Sequence, residues 1–297
     1  MKAGYVALIG RPNAGKSTLM NRMIGQKVSI VSDKPQTTRH RITGVLNRPD
    51  GQLVFIDTPG IHKPEHSMNR RMVKAALDTL RDADVVVLIV DAAEPAGYGD
   101  RFVIDLLVEL QKPLIVVLNK IDRVRKPDLL PLIESYARAL TCQAVVPLSA
   151  LTGDFVDGLI GEMITALPEG EPLFDADYFT DQTERLLASE LIREKVLVHT
   201  RDELPYTTAV VIDQFVEPEP GSKLTKIYAS IIVDHKSQKP IVIGKGGDMI
   251  KRIGTEARHD LEEMLEGKVY LDLHVKVRQD WREDERLLDE LGLPKRK

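Results

Sequence analysis

The stretch Gly10-Arg11-Pro12-Asn13-Ala14-Gly15-Lys16-Ser17, directly after the apolar run Tyr5-Val6-Ala7-Leu8-Ile9, decides the reading of the first half of this chain. It satisfies the pattern G-x-x-x-x-G-K-[ST] in full. A buried strand that stops at a glycine-rich turn and restarts as a helix leaves several backbone N–H groups pointing at one spot, where an anion fits. The helix expected from Lys16 to Ile24 adds its positive dipole end. Lys16 then reaches the β and γ phosphates, and the Ser17 hydroxyl is positioned to ligate Mg²⁺. Asn13, Ala14, Gly15, Lys16, Ser17 and Thr18 are the phosphate-binding candidates. An ordinary tight turn is the alternative, and the strand-turn-helix context weighs against it.

Outward from this loop, the chain alternates continuous apolar runs with helical periodicity, the pattern of a parallel sheet covered on both faces. Strands are expected near Tyr5 to Ile9, Ile42 to Asn47, Gln52 to Asp57, Val85 to Asp91, Leu114 to Asn119 and Ala144 to Leu148. The turn Arg48-Pro49-Asp50-Gly51 joins the second and third as a hairpin, which makes the six-stranded sheet mixed. A helix from Phe155 to Ala166 closes this part. From Pro168 to Asp181 the chain is rich in Pro, Gly and acids and reads as a linker, with Thr180 or Asp181 capping the next helix. Beyond it come a helix over 183–199, β-type stretches over 206–217 and 224–234, a glycine turn at 244–247 and a helix to Glu266. A strand over 269–277 and a last helix from Glu283 follow. This division gives a nucleotide-binding domain over 1–168, a linker over 169–182 and a smaller α+β domain over 183–297.

Composition narrows the class. The 297 residues are 43% hydrophobic and 29% charged, with a net charge of −4, as in soluble globular proteins rather than disordered or membrane chains. The balance argues against a protein basic all over, but leaves room for a local basic patch. Cys142 is the one cysteine, so no intrachain disulfide forms and a reducing, cytoplasmic setting is expected. It reads as a small buried apolar residue. No apolar run approaches the roughly 20 residues of a spanning helix, and a strand starting by Tyr5 leaves no room for a signal peptide, so the mature protein is expected to start at Met1. The seven histidines are scattered without ligand spacing, which gives a transition-metal site little support.

Two further motifs refine the first site. Strand 53–56 delivers Asp57, followed by Thr58-Pro59-Gly60: the carboxylate suits Mg²⁺ and the Gly60 amide faces a γ-phosphate. Strand 114–118 delivers Asn119-Lys120-Ile121-Asp122. A carboxylate at 122 accepts from guanine N1–H and its 2-amino group, a donor pair that adenine lacks. Ser149-Ala150-Leu151 offers a backbone N–H for guanine O6.

These elements, in this order, resemble the translation-factor-related GTPases. Within them Gln36-Thr37-Thr38-Arg39-His40-Arg41 is similar to the first switch of the Era group, which implies that Thr38 or Thr37 closes over Mg²⁺ and the γ-phosphate. Thr38 is favoured, and Ser17, Thr38 and Asp57 form the expected Mg²⁺ set. Ile61 stands where a water-positioning glutamine occurs in Ras-type enzymes, so slow intrinsic hydrolysis is expected with no side-chain base. The resemblance also makes Asn13 a candidate K⁺ ligand.

The second glycine loop, Gly244-Lys245-Gly246-Gly247, lies between apolar Ile241-Val242-Ile243 and a helix whose Ile250, Ile253 and Ala257 share a face. Alone, G-x-x-G is weak, and a helix-capping turn with a solvated basic face explains it equally well. The α-β-β-α-β order around it resembles a type II KH domain, in which such a loop clamps a single-stranded backbone. Gly244, Lys245, Gly246, Gly247, Lys251 and Arg252 are the RNA-binding candidates. Tyr228 and Tyr270 read as core, and the tail Lys295-Arg296-Lys297 as solvated. Together with Glu190 to Lys195 and Glu203 to Tyr206, nearly the whole chain is identified as a member of the Era family. The resemblance implies a monomeric GTPase using GTP/GDP and Mg²⁺ that binds 16S rRNA near its 3′ end and assists 30S subunit assembly. GTP is expected to favour the RNA-competent arrangement. A membrane-surface regulatory GTPase, in peripheral contact with the inner membrane, is the alternative. A small-metabolite phosphotransferase leaves Asn119 to Asp122 and the second glycine loop unexplained.

Overall fold

Alternate residues of the apolar runs face opposite ways, and both sets are buried. On β1 (Lys2–Ile9), Val6 and Leu8 enter one hydrophobic cluster while Ala7 and Ile9 enter another. The same division holds on β4 (Val85–Asp91) and β5 (Leu114–Asn119), as a doubly covered parallel sheet requires. With β2 (Ile42–Arg48), β3 (Gly51–Asp57) and β6 (Ala144–Pro147) the order is β2-β3-β1-β4-β5-β6. Only β2 runs antiparallel to its neighbour, through the expected hairpin. Helices α1 (Lys16–Ile24), α2 (Ser67–Asp82), α3 (Tyr98–Val108), α4 (Lys126–Ala139) and α5 (Val156–Ala166) connect or follow the strands. The computed structural model describes residues 1–34, 37–60, 66–94, 98–108, 111–201 and 204–293.

The chain forms two units: Met1–Ser29, Thr38–Glu65 and Asn69–Asp181 make the first, and Ile30–Thr37, His66–Met68 and Gln182–Lys297 the second. The acidic, Pro-rich stretch after Pro168 is strapped to the first unit's edge strand. The Val45 N–H donates to the Phe179 carbonyl at 2.9 Å, and Thr180 Oγ1 donates to the Thr43 carbonyl at 2.7 Å. The Gln52 side chain accepts from the Leu173 and Phe174 amides and donates to the Phe174 carbonyl. Thr180 and Asp181 therefore do not cap the next helix. Thr183 does, its Oγ1 accepting from Leu186 N–H.

The second unit contains α6 (Glu184–His199), α7 (Leu204–Thr207), β7 (Thr208–Val216), β8 (Leu224–Val233), α8 (Gln238–Ile243), α9 (Asp248–Met264), β9 (Lys268–Val277) and α10 (Glu285–Glu290). Its sheet has the order β7-β8-β9, antiparallel then parallel. Leu191 and Ile192 of α6 and Ile253, Ala257 and Leu261 of α9 share a core with Ile227, Ala229 and Ile231 of β8. Short helices α7 and α8 were not anticipated. Their few residues, containing Pro205 and Pro240, lack the repeat that marks a longer helix. Cys142 is half-buried rather than interior, since it follows α4 at the sheet's rim.

Candidate functional site

The glycine-rich loop after β1 is built around backbone that other side chains cannot adopt. Gly15 has φ of 96° and immediately precedes α1, and a Cβ there would strike the Asn119 side-chain nitrogen. Asn119, at the end of β5, ties three loops together. Its Nδ2 donates to the Ala14 carbonyl at 2.8 Å, and its Oδ1 accepts from Lys120 N–H at 2.8 Å and Ala150 N–H at 2.9 Å. Thus the phosphate-loop candidates and the base-recognition candidates form one connected constellation.

Lys120 has a left-handed backbone (φ 67°) and its Nζ lies 2.6 Å from Oδ2 of Asp91, the last residue of β4. The short helical turn Ile121–Arg123 then presents Asp122, whose Oδ1 accepts from Ser149 Oγ at 2.6 Å while the residue stays exposed. Arg22 of α1 holds the same loop: its Nε donates to the Ala150 carbonyl at 3.3 Å and its Nη2 to the Leu151 carbonyl. Sequence reasoning missed Asp91 and Arg22. Asp91 had a detectable signal, as a carboxylate ending an apolar strand; Arg22, on an exposed helix face, had none.

At the other end of the loop, Lys16 and Asp57 are both buried. Lys16 Nζ donates to the Gly10 and Arg11 carbonyls at 3.2 and 3.1 Å. Three hydroxyls converge on Asp57 Oδ2: Ser17 Oγ at 2.6 Å, Ser29 Oγ at 3.1 Å and Thr38 Oγ1 at 3.4 Å, with Ser17 and Thr38 2.9 Å apart. Thr37 instead turns its hydroxyl to the Lys34 carbonyl at 2.5 Å, so Thr38 is the threonine that reaches this corner. Ser29 was not singled out by its sequence context. Thr18 lies one position along α1, half-buried. Gly60 passes so close to the loop that a Cβ would sit 2.9 Å from Pro12 Cγ and 3.0 Å from its nitrogen. Asn13, exposed, has φ of 64°. Gln36 and Ile61 lie outside the described residues.

The electrostatics of this corner suit a cation and an anion side by side. Burial pushes the Asp57 carboxyl above the usual carboxylate range, against the opposing pull of Lys16 and the three hydroxyls. Burial likewise lowers the Lys16 ammonium, against the attraction of Asp57. Among the described residues Asp57 Oδ1 is buried without a hydrogen-bond partner. A hard divalent cation would meet that oxygen and the Ser17 and Thr38 hydroxyls, and a phosphate would meet Lys16. The residues fit Mg²⁺ and a polyphosphate.

In the second unit, Gly244 (φ 77°), Gly246 (φ 62°) and Gly247 (φ 85°) shape the second loop ahead of α9. A Cβ at Gly244 would lie 2.6 Å from Met249 Cβ, whereas the space around Gly246 and Gly247 is open. Lys245 and Gly246 are exposed. Beside them a groove of 310 Å³ is lined by Ile250, Lys251, Gly254, Arg258, Leu271 and Leu273, among others. Arg252 is engaged with Glu256 at 3.2 Å, so it offers less free charge than Lys251. Tyr270 is not core: it is 49% exposed and packs obliquely on Tyr228 at 5.8 Å, on the sheet face away from α9. The sequence 295–297 lies outside the described residues, as does Glu203. Among the described residues no helix is long and apolar enough to cross a membrane.

Comparison with known proteins agrees with this geometry. Residues 5–120 match the family model described as 50S ribosome-binding GTPase, and residues 203–282 match the KH domain model. The GTPase Era of Geobacter metallireducens is 49% identical over 98% of this chain and 97% of its own length, and that of Alkaliphilus metalliredigens 45% identical over 98% of each. The crystal structure of a single-residue variant of Aquifex aeolicus Era bound to GDP·AlF4⁻ superposes with a TM-score of 0.95 at 43% identity, covering 99% of this chain and 100% of that one. A structure of Era with MgGDPNP and nucleotides 1506–1542 of 16S ribosomal RNA matches at the same TM-score, identity and coverage. A GTPase constellation and a KH fold in one chain, with relatives this similar along its full length, make it a member of the Era family of GTPases.

Proposed function

We propose that this chain is a GTP-operated switch that binds 16S rRNA near its 3′ end and assists assembly of the 30S subunit in the cytoplasm, acting as a monomer. The observation that carries the reading is the pairing, in one chain, of the Ser17–Thr38–Asp57 corner with the open Gly244–Gly247 loop and its apolar groove. The relatives' complexes with GDP·AlF4⁻, MgGDPNP and 16S rRNA support it. The proposed GTPase domain spans 1–168 and the KH-type domain 183–297, with 169–182 connecting them.

In this reading Asn13 to Thr18 cradle the phosphates and Lys16 pairs with the β and γ oxygens. Gly60 senses the γ-phosphate. Asn119, Lys120, Asp122 and the Ser149-Ala150-Leu151 loop hold guanine. Mg²⁺, when bound through Ser17, Thr38 and Asp57, neutralises charge developing on the phosphates. Gly244, Lys245, Gly246, Gly247, Lys251 and Arg252 meet the RNA backbone, and the aliphatic groove takes bases.

Two expected outcomes test the switch. Fluorescence anisotropy with single-stranded RNA from the 3′ end of 16S rRNA should give about tenfold tighter binding with a GTP analogue than with GDP, within the usual range of coupling between sites. Equal affinities would remove the coupling. The exposed, left-handed Asn13 is proposed to hold K⁺ near the phosphates, so GTP turnover should rise about tenfold in K⁺ over Na⁺ at equal ionic strength, through added charge stabilisation. Identical rates would remove that role.

A further inference from the structure

We propose that Arg193, on α6, is a positioning residue for GTP hydrolysis, acting through the main chain on Thr38. The segment Ile30–Thr37 belongs to the second unit, and α6 holds both of its ends. At one end Glu194 Oε1 accepts from the Val31 N–H at 2.9 Å. At the other, Arg193 Nη2 donates to the Thr37 carbonyl. Each anchor lies within two residues of a hydroxyl on Asp57: Ser29 precedes Val31, and Thr38 follows Thr37. The Thr37 carbonyl shares a rigid peptide plane with the Thr38 amide, so fixing that oxygen restricts the direction in which the Thr38 side chain leaves the backbone.

The chemistry of α6 is hard to explain by stability alone. Arg193 is 2% exposed and Glu190 7%, and the two form a fork, with Nε to Oε1 at 2.8 Å and Nη2 to Oε2 at 2.6 Å. Arg193 Nη1 has no hydrogen-bond partner among the described residues. A buried pair of this kind is commonly replaceable by packed apolar side chains at little or no loss of stability. What an apolar pair cannot do is deliver a charged donor to a main-chain carbonyl beside Thr38. The Glu190 carboxylate fixes the guanidinium plane, and the plane aims Nη2.

The inference rests on Thr38 being the switch threonine, and the test separates the two. Arg193→Lys keeps a cation beside Glu190 but loses the fork, and the double variant Arg193→Met/Glu190→Gln removes both buried charges. Trp281, the only tryptophan, is buried in the same unit with Nε1 donating to the Thr207 carbonyl at 2.8 Å, so its fluorescence reports whether that unit remains folded. In both variants, with Trp281 emission unchanged, single-turnover GTP hydrolysis should fall about tenfold, as for loss of one charge-assisted hydrogen bond. Affinity for a fluorescent GDP should move by less than about twofold, because only the triphosphate state uses Thr38. Folded variants that hydrolyse GTP at the parent rate while Thr38→Ala is slowed would overturn the role of Arg193. A parent rate in Thr38→Ala itself would overturn the switch reading on which it stands.

Discussion

Asp122→Asn is expected to lower GTP affinity by about 10³-fold, because a site that reads a donor pair with a carboxylate loses in two ways when the carboxylate goes. The amide keeps one accepting oxygen, so one of the two hydrogen bonds to guanine N1–H and the 2-amino group is lost, and the amide nitrogen now faces a donor instead of accepting from it. The neighbours stay in place: Asn119 still ties the loops, and Ser149 Oγ still has an oxygen at position 122 to meet. Xanthosine triphosphate carries a carbonyl where guanine carries the amino group, so the variant should prefer it to GTP. Competition of GTP, XTP and ATP against a fluorescent nucleotide checks this. Retention of GTP affinity would show that the base is read elsewhere.

Gly246→Asp is expected to weaken RNA binding by at least about 100-fold at low salt, since it replaces a close backbone approach with a carboxylate facing phosphates. The fold should tolerate it. The position is exposed, its surroundings are open, and aspartate is among the side chains that accept its φ of 62° most readily. GTP hydrolysis measured without RNA should be unchanged. Gly244→Ala makes a contrasting control, because its Cβ would press on Met249 and disturb α9 itself. If Gly246→Asp binds the 16S-derived RNA as tightly as the parent, the loop is a helix cap and the RNA lies elsewhere.

Most of the scaffold was legible in the sequence because its signals are local. A strand, a glycine turn and a helix follow one another without a break around Gly10 to Ser17, and Asn119 to Asp122 directly follows an unbroken apolar run. The six strands and their mixed sheet follow from continuous apolar patterning and one hairpin turn. What escaped is long-range. Ser29 looks like any loop serine until the fold brings it 3.1 Å from Asp57, and Arg22 has no feature that announces carbonyls 128 and 129 residues away. The stretch 168–181 has linker composition, yet Gln52 and Thr180 bind it to the sheet through contacts no periodicity encodes. Tyr270 misled for a related reason: on a three-stranded sheet with α6 and α9 on one face, alternation places half of each strand's side chains away from those two helices.

The strap along β2 bears on how far the GTPase fold extends along the chain. A sheet edge with unpaired N–H and C=O groups recruits other strands, and β2 is the edge formed by the one antiparallel strand. Val45 gives its amide hydrogen to Phe179, and the ring of Phe174 stacks on Tyr178 at 4.8 Å to stiffen the cover. A fragment ending at Pro168 would retain every nucleotide-site residue and still present a bare, adhesive border. The residues from 169 to 181 act as a built-in selvedge, finishing the cloth of the sheet so that it does not knit itself to a neighbour.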